Sequence, residues 1–115
     1  MYSIIVPVYK NEESIFDLIK VFSAINRKLR NRLTVVFVVD GSPDHSFELL
    51  NQYLPLADFK SRLILHSKNF GSFAAIRTGL KFAEDNYYAV MAADLQEPPS
   101  LVMDFYKILK EDNAD

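Results

Sequence analysis

Four short apolar or β-branched runs alternate with four helical patterns along this chain, and that alternation constrains the fold more than any other feature. The runs cover residues 4–8, 33–39, 62–66 and 88–93. Three of them are almost wholly apolar, as strands covered on both faces are. In the first helical pattern Ile15, Leu18, Ile19, Phe22, Ile25 and Leu29 repeat at the helical period. The second is shorter, with Phe47, Leu50, Tyr53 and Leu54, and is expected to stop at Pro55. The third spans about residues 71–85 with Phe73, Ile76 and Leu80 on one face. The fourth follows Pro98, Pro99 and Ser100 and carries Leu101, Val102, Phe105, Ile108 and Leu109. Prolines suit a first helical turn, where backbone donors have no partner in any case. Alternating strands and helices imply right-handed crossovers and a mostly parallel sheet of about four strands, with helices on both faces.

The chain of 115 residues fits one domain, residues 1–115, with no repeat or linker. Half of it is apolar and 24% is charged, which excludes a disordered tail and a membrane bundle. Lys plus Arg total 13 against 15 Asp plus Glu, so a general nucleic-acid binder is not expected. The absence of Cys removes disulfides, thiolate catalysis and Cys-ligated zinc, and two His are too few for a His-rich metal site. No basic segment precedes the first run, and no apolar run reaches the roughly 18 residues of a spanning helix. A soluble, cytoplasmic piece is the expectation.

In a sheet of this kind ligands bind beyond the C-terminal strand ends, where the strand order reverses. Polar residues concentrate there. Asp40-Gly41-Ser42-Pro43-Asp44 reads either as a turn, with Asp44 or Ser46 capping the next helix, or as a site in which Asp40 meets a base edge or ribose. Asp94 and Gln96 share one side of an extended segment. They suit either a capped turn or a hard cation such as Mg²⁺ or Mn²⁺. His66 is a structural residue or, less simply, a catalytic one. Lys68, Asn69 and Gly71 lead into a helix whose N-terminus attracts phosphate. Arg77 reads equally as a phosphate ligand and as a surface cation. Arg27, Lys28, Arg30 and Arg32 crowd a helix end, where they complement its negative pole. Contact with an anionic membrane is the other reading of that cluster.

Taken together, four stretches resemble family 2 glycosyltransferases of the GT-A fold, a Rossmann-like α/β architecture. They are Ile4 to Glu13, Val39-Asp40-Gly41-Ser42-Pro43-Asp44, Lys68-Asn69-Phe70-Gly71 and Ala93-Asp94-Leu95-Gln96-Glu97-Pro98-Pro99. They occur in the family's order and spacing over the whole chain. The last stretch looks most like the polyprenyl-phosphate branch, which comprises dolichol- and undecaprenyl-phosphate sugar transferases of the cell envelope. The resemblance implies a nucleotide-diphospho-sugar site, with a UDP-sugar the expected donor. Pro7, Tyr9 and Glu12 would line the nucleoside pocket and Asp40 would contact the base. Lys68, Asn69, Gly71, Arg77 and Ala93 would complete it. Asp94 would be the catalytic carboxylate and, with Gln96, a ligand to Mg²⁺ or Mn²⁺.

Two positions depart from the family pattern. Val39 stands where the family often has the first Asp of Asp-Asp-Gly-Ser, and Ala92 replaces the first Asp of Asp-X-Asp. An inactive nucleotide-binding module of the same fold, or a non-transferase doubly wound domain, is therefore the alternative reading. The half that binds the acceptor is expected to lie outside this chain. A membrane polyprenyl phosphate would place the whole protein at the inner face of a membrane. A nicotinamide-binding domain is excluded because no glycine-rich turn follows the first strand.

Overall fold

The computed structural model describes residues 2–83 and 87–93. Strands β1 (Tyr2–Val8), β2 (Leu33–Asp40), β3 (Lys60–His66) and β4 (Tyr87–Val90) form one sheet in the order β3-β2-β1-β4. Every neighbouring pair is parallel. Helices α1 (Ile15–Lys28), α2 (Ser46–Tyr53) and α3 (Ser72–Phe82) make the connections. This is the parallel α/β sheet expected from the alternation. The fourth helical pattern lies outside the described residues.

Successive side chains of a strand face opposite sides of the sheet. Ile4, Val6, Val8, Val35, Phe37 and Val39 pack with Ile15, Leu18, Phe22 and Ile25 of α1 and Leu50 of α2. Phe22 sets its ring edge against Phe37 and Phe59, with centroids 5.8 and 6.1 Å away. The opposite face carries Ile5, Val36 and Val38 against Ala75 of α3. Helices therefore cover both faces.

The apolar stripe of α3 is not its buried face. Ala75 and Gly79 are buried, whereas Phe73 is 83% and Leu80 39% exposed. The reason is distance of approach: a Cβ on Gly79 would lie 2.4 Å from Ile5 Cγ2. The helix sits too close to β1 for large side chains, and periodicity alone does not reveal that. α2 itself stops at Tyr53, ahead of Pro55 as expected, and Pro55 lies within a 3₁₀ turn, Leu54–Leu56, that follows it. β1 and β3 each begin two residues earlier than expected, and β4 ends at Val90, although the Met91 amide still donates to Ile5 O at 3.0 Å.

The end of α1 explains part of the basic cluster. Arg32 Nε donates to Leu29 O at 3.1 Å, placing a cation on the helix's negative pole. Beside it the buried Asn26 donates to Asp58 O at 3.1 Å and accepts from the Leu33 amide at 3.2 Å. One side chain thus joins α1, β2 and the segment before β3.

From β1 the order runs outward to β3; α3 then carries the chain back to β4 on the other side of β1. The reversal lies between β1 and β4, where such sheets open a crevice. Gly79→Ala is expected to destabilise the protein by about 1–3 kcal/mol through overpacking against Ile5, although alanine is the better helix former. A lower urea midpoint checks this; an unchanged or higher midpoint contradicts it.

Candidate nucleotide-binding site

A hollow of about 400 Å³ opens at the C-terminal ends of β1 and β4, lined by Pro7, Val8, Tyr9, Asn11, Asp40, Asn69, Gly71, Ser72, Ala92 and Ala93. Three loops build it, and their geometry follows from a few polar side chains.

The first two loops are laced together. Ser42 Oγ accepts from the Lys10 amide at 2.8 Å, Ser46 Oγ from the Asn11 amide at 3.2 Å, and Asp44 Oδ2 from the Glu12 amide at 3.2 Å. Glu12 Oε2 returns the contact by accepting from the His45 amide at 3.3 Å. Asp44 also accepts from the Ser42 hydroxyl and from the Ser46 amide at the start of α2. Of the two readings of this stretch, the turn-forming one describes Ser42 and Asp44. The lacing holds Tyr9 and Asn11 at the hollow, with Asn11 Oδ1 accepting from the Tyr9 amide at 2.8 Å.

Asp40 organises the third loop. The carboxylate is 3% exposed at the last position of β2. Its Oδ1 accepts from His66 Nδ1 at 2.9 Å and from the Phe70 amide at 3.0 Å, and its Oδ2 accepts from the Gly71 amide at 2.8 Å. Gly41 permits the close approach: a Cβ there would lie 2.2 Å from the Lys68 carbonyl carbon, and its φ is 63°. Gly71 has φ 101° and ψ 159°, a conformation confined almost entirely to glycine. Burial pushes the Asp40 carboxyl up, but the hydrogen bonds from His66, Phe70 and Gly71 and the charge of His66 outweigh it, and the net shift is downward. For Asp44, burial is likewise outweighed by hydrogen bonds from Ser42, Ser46 and the Glu12 amide.

The structure brings Pro7, Tyr9, Asp40, Asn69, Gly71 and Ala93 together at the hollow. Glu12 instead borders a second hollow of about 560 Å³ with Lys10 and Pro43. Lys68 lies over the Phe70 ring, 5.2 Å from its centroid, and Arg77 is exposed on α3; neither lines the first hollow. Asp94 and Gln96 lie outside the described residues. Among the described residues no three His, Cys, Asp or Glu side chains are grouped to hold a metal. Ala92 presents only a methyl group to the hollow. Sequence reasoning did not single out Val8, Asn11, Ser72 or Ala92 as lining residues; Asn11 sits inside a stretch it had marked, between Tyr9 and Glu12.

The sequence profile described as glycosyl transferase family 2 matches residues 3–115. The chain belongs to that family. It is 36% identical over 110 residues to an uncharacterized glycosyltransferase, YkcC, of Bacillus subtilis, covering 96% of this chain and 34% of the relative. It is 34% identical over 97 residues to an undecaprenyl-phosphate 4-deoxy-4-formamido-L-arabinose transferase of Pseudomonas fluorescens, covering 84% and 28%. The family 2 chain thus spans about a third of the length of these relatives. Among solved structures, residues 1–349 of S. aureus TarS in complex with UDP-GlcNAc superpose with a TM-score of 0.77 at 22% identity, over 96% of this chain and 31% of that one. The mannosyltransferase PcManGT of Pyrobaculum calidifontis, in complex with GDP-Man and Mn²⁺, gives 0.70 at 22% identity, over 84% and 28%. These likenesses establish the GT-A fold for this family 2 domain.

Because the folded pKa of Asp40 lies below its ordinary value of 3.8, its contribution to stability is complete above that pH and is lost as pH falls through the folded value. Asp44 acts in the same direction. Asp40→Ala is expected to cost about 1–3 kcal/mol near neutral pH, since it strands two amides. It should also flatten the decline of the urea midpoint below about pH 4. An acid limb as steep as the wild type's would contradict the assignment.

Proposed function

We propose that this chain is the nucleotide-sugar-binding part of a glycosyltransferase that passes a sugar from a nucleoside diphosphate, UDP in the first instance, to a polyprenyl phosphate at the cytoplasmic face of a membrane. The observation that carries the reading is the hollow at the β1–β4 reversal, bordered by the N-terminal residue of α3. The Phe70 and Gly71 amides are held by Asp40, and it is the first turn of α3, with its positive pole, that suits a diphosphate. In this reading Pro7, Tyr9 and Asn11 hold the nucleoside and Asn69, Gly71 and Ser72 orient the diphosphate. Asp40 keeps their loop in shape and borders the base. Lys68 and Arg77 add positive charge on the same loop and helix, and Glu12 fixes the neighbouring loop.

The acceptor in the Pseudomonas fluorescens relative's name is a phosphate. Such an acceptor is already anionic, so its oxygen can attack the anomeric carbon with inversion and no proton need be removed first. Asp94 and Gln96 offer oxygen ligands suited to Mg²⁺ or Mn²⁺. When bound, such an ion supplies charge neutralisation for the departing diphosphate. Ala92 adds no ligand, so the ion is expected to depend on the nucleotide's own phosphates for the rest of its shell. A second reading, a module that binds nucleotide without transfer, is favoured by Val39 and Ala92.

Calorimetry with UDP-GlcNAc and GDP-Man, each with and without Mn²⁺, tests the proposal on the full-length protein. The expected result is UDP-sugar binding strengthened by Mn²⁺, and about tenfold weaker after Asn69→Ala through loss of one hydrogen bond. Metal-independent binding without transfer would favour the module, and no binding by either nucleotide would contradict both readings. The 115-residue chain alone is expected to transfer no sugar; radiolabelled transfer by it would overturn that.

A further inference from the structure

His66 ties the ends of β2 and β3 to α3 through polar contacts of its side chain. It is paired with Asp40 in the last rung between β2 and β3. Its Nδ1 lies 2.9 Å from Asp40 Oδ1 and its Nε2 2.8 Å from Thr78 Oγ1 on α3. The ring also meets Phe70 edge-on, with centroids 5.5 Å apart. An ionised carboxylate only accepts, so Nδ1 carries the hydrogen. Thr78 satisfies Nε2 in either state, donating to the neutral ring or accepting from the protonated one.

Asp, His and hydroxyl in this order match the connectivity of a nucleophilic triad. However, neither His66 nor Thr78 lines the hollow, so no substrate atom meets the hydroxyl there. The network instead leads toward the loop. The carboxylate that His66 holds also fixes the amides of Phe70 and Gly71, and Gly71 sits in a conformation that needs outside support. Asn69 Oδ1 shares the Gly71 amide at 2.9 Å. Asn69, Gly71 and Ser72 are the residues this loop presents to the hollow.

We propose that His66 is a positioning residue for the nucleotide site: by clamping Asp40 between β3 and α3, it fixes the loop that presents Asn69, Gly71 and Ser72. The proposal rests on the nucleotide reading of the hollow. Without the imidazole, Asp40 loses one of its three donors and its link to α3, and the two amides lose a fixed acceptor. Donors to a charged group are the stronger kind of hydrogen bond, so the loss is large enough to loosen the loop.

Three variants of the full-length enzyme separate the donor from the bulk. His66→Asn keeps a donor near Nδ1, His66→Gln extends one toward Thr78, and His66→Phe fills the space with no donor. Two quantities are read: hydrogen–deuterium exchange of segment 67–72 without nucleotide, and the affinity for UDP. His66→Phe is expected to accelerate exchange and to weaken UDP binding by about tenfold, one lost charge-assisted hydrogen bond. The KM for the nucleotide sugar should rise while kcat holds. His66→Asn should stay near wild type, with His66→Gln between the two. A His66→Phe protein that exchanges and binds like wild type overturns the proposal. So does a His66→Asn protein no better than His66→Phe, because restoring the donor would then make no difference. If wild type binds neither UDP nor GDP, the nucleotide reading falls, and the exchange measurement still decides whether His66 holds the loop.

Discussion

A carboxylate buried at the end of a central strand must find donors, and the way Asp40 finds them sets the shape of everything around it. Burial alone would favour its neutral form. Two amides from the β3–α3 loop and an imidazole from β3 reverse that preference. The cost of leaving such a group unsatisfied ties the end of β2 to a loop about 30 residues further along the chain, a separation the hydrogen bonds to Phe70 and Gly71 span. The hollow exists because this loop is held back against β2 while β4 returns on the far side of β1.

Two glycines make the arrangement sterically possible. Gly41 lets the backbone after β2 run against Lys68 and Asn69, and Gly79 lets α3 lie on Ile5. Together with the hydroxyl and carboxylate lacing of Ser42, Asp44 and Ser46, they bring three loops to one strand-end crevice. The family 2 signature stretches are therefore in large part structural: Asp40 and Asp44 spend their oxygen atoms on backbone amides, the His66 imidazole and the Ser42 hydroxyl, while Tyr9, Asn11, Asn69 and Ser72 are among the polar side chains left at the hollow.

Much of the fold was legible in the sequence, because strand hydrophobicity and helical period are local properties. The runs around Ile4, Val35 and Leu63 and the α1 stripe correspond to observed elements within a residue or two. The α3 face was not legible. Phe73 and Leu80 satisfy the period, but the close approach of the helix at Ala75 and Gly79 decides which face is buried, and that is a tertiary fact. Pro55 marks the end of α2 correctly, because proline breaks an α-helix but fits the 3₁₀ turn that follows. At the site, strand-end position picked out Asp40, Asn69 and Gly71, which meet at the hollow. It did not separate Glu12, Lys68 and Arg77, whose side chains lie elsewhere. It also left His66 undecided, since its role depends on a Thr78 twelve residues away on another element.

The claim that most needs a direct test is that the β1–β4 crevice receives the nucleotide. A crystal structure of the full-length enzyme with UDP would locate it. The account predicts the nucleoside against Pro7, Tyr9 and Asn11 and the diphosphate beside Asn69, Gly71 and Ser72, with Asp40 still bonded to Phe70 and Gly71. A nucleotide bound away from these strand ends, or a loop that abandons Asp40 to admit it, would contradict the account.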